Sequence, residues 1–215
     1  TVAYGPSVPT HPLWRPFRVP DDEEIARFRL RPHVPAPVEV VAPDPRWPAD
    51  FARVRARIAE ALGPVARQIE HVGSTAVPGL WAKPVIDVLV AVADPDDEAA
   101  YVPAMEAVGF VLGGREPDAE QHRFFRGADP TSNVHVFPPG SREGERMRRF
   151  RDWLRTHADD RAAYAELKRE LARQGFTDVM HYNNAKAGLI YDVYERIFTA
   201  DPQAEHDPRP RGIRT

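Results

Sequence analysis

Gly73, Ser74 and Asp87 are the residues whose types and spacing point most directly to chemistry. They lie in EHVGSTAVPGLWAKPVIDVLV, residues Glu70 to Val90. A glycine lets a ligand approach the backbone closely, and the amides that follow it can cradle phosphate oxygens. Ser74 or Thr75 adds a hydroxyl donor. Asp87 is the one polar residue of the run VIDVLVAV, Val85 to Val92. A carboxylate in an apolar strand is costly unless it holds a cation or accepts hydrogen bonds. Together these residues predict a metal–phosphate site, with Mg²⁺ or Mn²⁺ on Asp87. Lys83 precedes Pro84, a rigid context that aims its ammonium at the same loop. Arg123 offers a guanidinium fork to phosphate. Lys186 shares a helix face with Tyr182, four residues earlier. His135 alternates with Val134 and Val136, which turns it toward the Asp87 pocket if the two strands are neighbours. Its roles there are metal ligand, general base or phosphate donor.

These residues need a sheet to hold them. The run at Val85 to Val92 is nearly all β-branched and apolar, as in the middle of a sheet. Val38 to Val41 and Val65 to Val72 are further strand candidates. His122 to Arg126 and Asn133 to Phe137 flank turn residues and read as an antiparallel pair. Trp47, Phe51, Val54, Ile58 and Leu62 form one helical face that stops at Gly63. Ala99 to Gly109 is helical. From Arg142 to about Ala200 the pattern gives three helices, with Tyr164, Leu167 and Leu171 on the face of the second. Strands first and helices last predict an α+β domain, a mixed sheet of about five strands with helices on one face and a helical C-terminal half.

The chain has 215 residues, enough for one full-sized core. Ten of its 23 prolines fall in the first 45 residues, so residues 1–37 read as a proline-rich arm anchored by Leu13, Trp14, Phe17 and Phe28. Asp21 and Glu24 have capping-box spacing for one short helix within it. Residues 38–200 form the domain, and 201–215 read as a disordered tail. Cysteine is absent, which excludes disulfides and thiolate chemistry and fits a reducing cytoplasm. No apolar stretch predicts a membrane span, and the first residues lack the pattern of a secretory signal. The net charge of −3 argues against bulk nucleic-acid binding. Residues 142–173 hold ten basic and seven acidic side chains, the mixture of a solvated helix face. No P-loop, HExxH or GxSxG motif occurs.

HVGSTAVPGLWAKPVIDVLV resembles the signature of the GrpB-like family, a branch of the nucleotidyltransferase superfamily. The likeness extends through VEVVAPDPRWPADF, HRFFRG, NVHVF, FRDWLRTHADDRAAYAELKRELA and YNNAK, over roughly residues 38–198. It implies a nucleotidyltransferase-like fold and a metal-assisted transferase acting on a nucleotide or other phosphorylated small molecule. Gly73, Ser74 and Asp87 match the superfamily pattern, in which carboxylates hold divalent metal for attack on a nucleotide phosphate. The second aspartate of that pattern falls on Leu89, and the later strand offers His135 where the third carboxylate stands. Magnesium can be held by one carboxylate plus substrate phosphates. Some relatives are fused to dephospho-CoA kinase, an association with nucleotide or coenzyme metabolism. Two other readings compete with the transferase. One is a non-catalytic member that binds a nucleotide or a protein, as Leu89 favours. The other is a pathway enzyme using His71, His122 and His135 beside Asp87 for acid–base or imidazole–metal chemistry.

Overall fold

The computed structural model describes residues 9–32 and 34–208. Five strands form one mixed sheet in the order β1-β2-β5-β4-β3. They are β1 (Ala66–Val72), β2 (Ile86–Val92), β3 (Phe110–Glu116), β4 (His122–Ala128) and β5 (Thr131–Phe137). β2 and β5 run parallel, and the other pairs are antiparallel. The α+β class and the mixed sheet agree with the sequence pattern. The strand list differs in two places. Val38 to Val41 makes only a single bridge, Val41 to Ala82. β3 takes its place, hidden in the sequence by Gly113 and Gly114 inside the strand.

The sheet alternates cleanly between two faces. Ile86, Val88, Val90 and Val92 of β2 join Val134 and Val136 of β5 in the main core. Helix α2 (Trp47–Leu62) covers that face with Val54, Ile58 and Leu62, and α3 (Val102–Ala107) adds Met105. The opposite face of β2 carries Asp87, Leu89 and Ala91. It meets α4 (Arg142–Thr156), whose Met147 packs on Val72, Leu89 and Phe137. Helices therefore lie on both faces, not one. Helices α5 (Ala158–Arg173) and α6 (Val179–Thr199) complete the helical half.

The basic run of α4 is not a solvated face. Arg146 is buried over the Tyr194 ring, 3.9 Å from its centroid, and donates to Leu13 O. Arg151 donates to Glu70 and to His71 O, and Arg155 to Ala76 O. These long side chains reach β1, the following loop and the arm, which a count of charges does not reveal.

The described part of the arm lies along the domain. Its helix α1 (Asp22–Phe28) begins with the expected capping box, Asp21 with Glu24. Phe28 lies on β3 and β4, so close to Gly114 that a Cβ there would overlap its ring. Arg29 pairs with Asp178 at 2.7 Å, and Trp14 donates to Glu195 at 2.8 Å. The tail departs from the expected disorder as far as residue 208. His206 bonds to Glu195, and Asp207 N donates to Pro9 O. A buried glutamate shared by Trp14 and His206 gives this polar segment a reason to stay in place. Residues 1–8 and 209–215 lie outside the described residues.

Gly114→Ala tests the docking of α1. The added methyl displaces the Phe28 ring, at a cost of about 1–3 kcal/mol where overpacking cannot relax. Faster tryptic cleavage after Arg27 and Arg29 is the expected outcome, with the 34–208 core resistant. Cleavage at the wild-type rate would show that Phe28 does not hold the arm.

Candidate functional site

The site begins where β1 ends. Val72 pairs with Asp87, so the chain leaving β1 passes directly over the carboxylate. Gly73 makes this passage with φ +69. A Cβ at Gly73 would sit 2.8 Å from Asp87 Cβ and Cγ, and closer still to Oδ2. Glycine is required twice, for the left-handed backbone and for the contact. Ser74 to Ala76 then form a 3-10 turn. Arg155 anchors the turn through Ala76 O, at 3.0 and 2.9 Å.

Asp87 is half-buried on β2. Its parallel neighbour is Asn133, whose amide donates to Oδ1 at 2.9 Å. Three lysines surround this single carboxylate. Lys83 comes from the loop before β2, Lys168 from α5 and Lys186 from α6, and all three act on Asp87 electrostatically. Desolvation still dominates and pushes the Asp87 carboxyl up, with Asn133 and the three lysines opposing. Arg126 on β4 is exposed beside Asn133, its register partner, and adds positive charge near Lys83.

Helices α5 and α6 present the same unit. Tyr164 and Lys168 are four apart on α5, and Tyr182 and Lys186 are four apart on α6. Lys168 Nζ lies 4.4 Å from the Tyr164 ring centroid, and Lys186 Nζ lies 4.5 Å from that of Tyr182. Lys186 also lies 5.9 Å from the Tyr164 ring, so the two units face each other. The aromatic faces partly compensate the buried cations. Lys168 is 2% exposed and Lys186 8%. Burial pushes Lys168 down to about 6, helped by the charge of Lys186. Burial and Lys83 push Lys186 down to about 7. Lys83 is lowered by desolvation, against the pull of Asp87. Lys168 donates to Ser74 Oγ at 3.0 Å. The Tyr182 hydroxyl is buried with no hydrogen-bond partner among the described residues, and burial raises its pKa.

Gly73, Ser74, Lys83, Asp87 and Lys186 are thus brought together. Thr75, Arg123 and His135 are not. The Thr75 hydroxyl donates to Val85 O at 3.1 Å and accepts from His71 Nε2 at 3.0 Å. His71 stacks on Phe51 with ring centroids 4.6 Å apart, and burial holds it neutral, down to about 4. Both residues tie the loop from the α2 side. Arg123 is buried against Glu98 at 2.6 Å and Asp96, which consume its fork. His135 pairs with Leu89, two residues past Asp87, because the parallel register puts Asn133 opposite the carboxylate. Its Nδ1 is 3.1 Å from His122 Nε2, and His122 Nδ1 is 2.6 Å from Glu116. Burial and His122 push His135 down to about 3. This histidine pair sits under Phe28 and beside Phe137, not against Asp87.

The donor set does not fit a divalent cation held by the protein alone. Asp87 is one carboxylate among three lysines, and one of its oxygens already accepts from Asn133. Among the described residues no group of three or more His, Cys, Asp or Glu side chains gathers in metal-binding geometry. Leu89, where a second aspartate would stand, is 2% exposed in an apolar cluster. The arrangement suits an anion: lysine amines, a serine hydroxyl and an asparagine amide gather about Asp87 with an excess of basic groups.

Comparison with known proteins follows the same outline. A family model described as GrpB protein matches residues 37–196. A UPF0157 protein of Halalkalibacterium halodurans is 48% identical over 174 residues, which cover 81% of this chain and 89% of that relative. A dephospho-CoA kinase of Mycolicibacterium paratuberculosis is 32% identical over 189 residues, covering 76% of this chain but 46% of that protein. The crystal structure of conserved protein GrpB from Enterococcus faecalis matches with a TM-score of 0.67 at 26% identity, over 75% of this chain and 98% of that one. No helix among the described residues is long and apolar enough to cross a membrane.

The buried lysines cost stability, and the pH window identifies them. Lys168 titrates near 6 in the folded chain against an ordinary 10.5. Between those values the unfolded chain holds a proton that the folded chain lacks, so stability rises with pH across the window. Below about 6 the penalty is complete. Lys168→Met removes it, and the melting temperature rises at pH 6 to 7 by the equivalent of about 1–4 kcal/mol. The gap to wild type narrows toward pH 10. A variant less stable than wild type at pH 7 would mean that the ammonium group supports the fold.

Proposed function

Because the chain belongs to the GrpB family, we propose that it is a transferase-type protein whose lysine pocket receives the phosphates of a nucleotide or other phosphorylated small molecule. The observation that carries this reading is the convergence of Lys83, Lys168 and Lys186 on one half-buried carboxylate. Three amines with so little compensating charge are costly to protonate in the empty protein. A phosphate supplies the missing charge. It also restores Lys83 and Lys186 toward their ordinary pKa, so binding and protonation are coupled. Ser74 and Asn133 add neutral donors, and Arg126 stands at the rim for a further phosphate. The match to a dephospho-CoA kinase supports a nucleotide-like ligand, although the shared segment spans under half of that protein.

Mg²⁺ or Mn²⁺ enters this reading only through Asp87, with water and ligand phosphates completing the shell. The protein's own residues bind, orient and neutralise the ligand without it. A second reading, a non-catalytic binder, is favoured by one observation: Leu89 is buried among Val72, Phe137 and Met147. No second carboxylate can be restored there without opening that cluster.

The test is a melting-temperature panel with pyrophosphate, nucleoside triphosphates and dephospho-coenzyme A, each with EDTA, Mg²⁺ or Mn²⁺. A ligand at a hundredfold excess over Kd stabilises by about 2.7 kcal/mol. The expected outcome is a shift that persists in EDTA and is lost in Lys83→Ala with Lys186→Ala. Asp87→Asn is expected to keep the metal-free shift and lose any part that needs metal. A panel with no shift in wild type defeats the reading. A shift seen only with metal, and abolished by Asp87→Asn, would move the binding role from the lysines to a cation.

A further inference from the structure

We infer that Ser74 is a nucleophile, with Lys168 as the base that takes its proton, acting at the phosphorus of a phosphoanhydride held by Lys83 and Lys186. This rests on the proposed phosphate pocket and goes beyond binding.

The geometry is direct. Lys168 Nζ is 3.0 Å from Ser74 Oγ, the distance across which a base removes a hydroxyl proton. The Tyr164 ring lies under the Lys168 amine, 4.4 Å from centroid to Nζ, and burial raises the pKa of its phenol. Gly73, locked against Asp87, fixes where Ser74 begins, and Ser74 itself stays half-buried.

Lys168 has the surroundings of a free amine. It is 2% exposed, and a serine hydroxyl is its hydrogen-bond partner. The charged groups that face it are Lys186, Lys83 and Asp87, two cations against one anion, with Tyr164 beneath it. Desolvation and Lys186 bring it down to about 6, so its lone pair is available near neutral pH. Lys83 and Lys186 are left to neutralise the ligand. Serine–lysine pairs act as nucleophile and base on other scaffolds, recognised by geometry and role instead of sequence position.

The step balances without a co-reactant. Oγ bonds to phosphorus, and the bridging P–O bond breaks. The proton passes from Oγ to Lys168 Nζ and then to the leaving phosphate oxygen. Water or an acceptor hydroxyl then attacks the serine-bound phosphorus and gives its proton to the same amine; the P–Oγ bond breaks, and the amine passes that proton to Oγ, which returns both groups to their starting states.

The experiment uses a fluorophosphonate probe on the full chain at pH 8, with peptide mass mapping. Wild type is expected to label at Ser74, and Ser74→Ala not to label there. Pyrophosphate is expected to slow labelling by occupying the pocket. Lys168→Arg keeps the positive charge but removes the base. It is expected to keep the pyrophosphate melting shift while labelling falls about 10²–10⁴-fold, the usual contribution of a general base. The wild-type labelling rate is expected to rise through about pH 6 and then level off. This profile reads the base even if the arginine variant fails to fold. A protein that shows the pyrophosphate shift but does not label at Ser74 overturns the nucleophile and leaves the binding reading standing. Equal labelling rates in Lys168→Arg and wild type overturn the role of Lys168. A missing pyrophosphate shift strikes the phosphate pocket itself, whatever the labelling shows.

Discussion

The contact between Gly73 and Asp87 governs the arrangement of the site. The register of β1 on β2 sets Val72 opposite Asp87, so the first residue beyond the strand must cross the carboxylate at van der Waals distance. Only a residue without a side chain can do so, and only with a left-handed backbone. The turn that follows then presents Ser74 toward α5 and buries Thr75 on the other side, against Val85 O. Arg155 and His71 secure the turn from opposite directions. The position of one hydroxyl therefore descends from strand register through a single close approach, and the arginines of α4 act as its braces.

Electrostatics divides the molecule into two regimes. Away from the pocket, many charges are matched. Arg123 meets Asp96 and Glu98, Arg29 meets Asp178, and Arg149 meets Glu145 and Asp201. At the pocket, three lysines meet one aspartate. A fold that pairs these arginines elsewhere has not run short of carboxylates. The imbalance is local, and it lies at the end of β2 beside a glycine–serine turn. Unmatched buried charge of this kind is a mark of a functional site, because the fold alone gains nothing from it.

Much of this was legible in the sequence, for physical reasons that also explain the rest. The glycine, the serine and the strand aspartate stand out because each departs from what its local element prefers. Helix α2 and the cap of α1 follow from periodicity and from Asp21 with Glu24. Strand β3 was hidden because two glycines interrupt its pattern. His135 and Asn133 could not be distinguished without the parallel register, which no local signal encodes. Lys168 did carry a signal. It stands four residues after Tyr164 and three before Leu171, on the buried face of an amphipathic helix, where a lysine is out of place. Counting charge over residues 142–173 averaged that anomaly away. The same Tyr-x-x-x-Lys spacing recurs in α6, and the pair is meaningful only once α5 and α6 are seen to face each other.

The exchange of carboxylates for lysines changes what kind of chemistry the fold supports. Where two or three carboxylates converge, the protein holds metal, and the metal meets the phosphate. Here Leu89 closes one carboxylate position with hydrocarbon, and Asn133 occupies the place opposite Asp87 with an amide. Positive charge reaches the same space from the helical half instead, on side chains that burial and mutual repulsion keep partly neutral. A metal ion delivers fixed charge. Buried lysines divide the work: Lys83 and Lys186 gain charge when an anion arrives, and Lys168 stays a free amine, a base. Ser74 lies within hydrogen-bonding distance of one of them, so the same substitution that weakens the case for two-metal transfer places a proton acceptor beside the turn's hydroxyl.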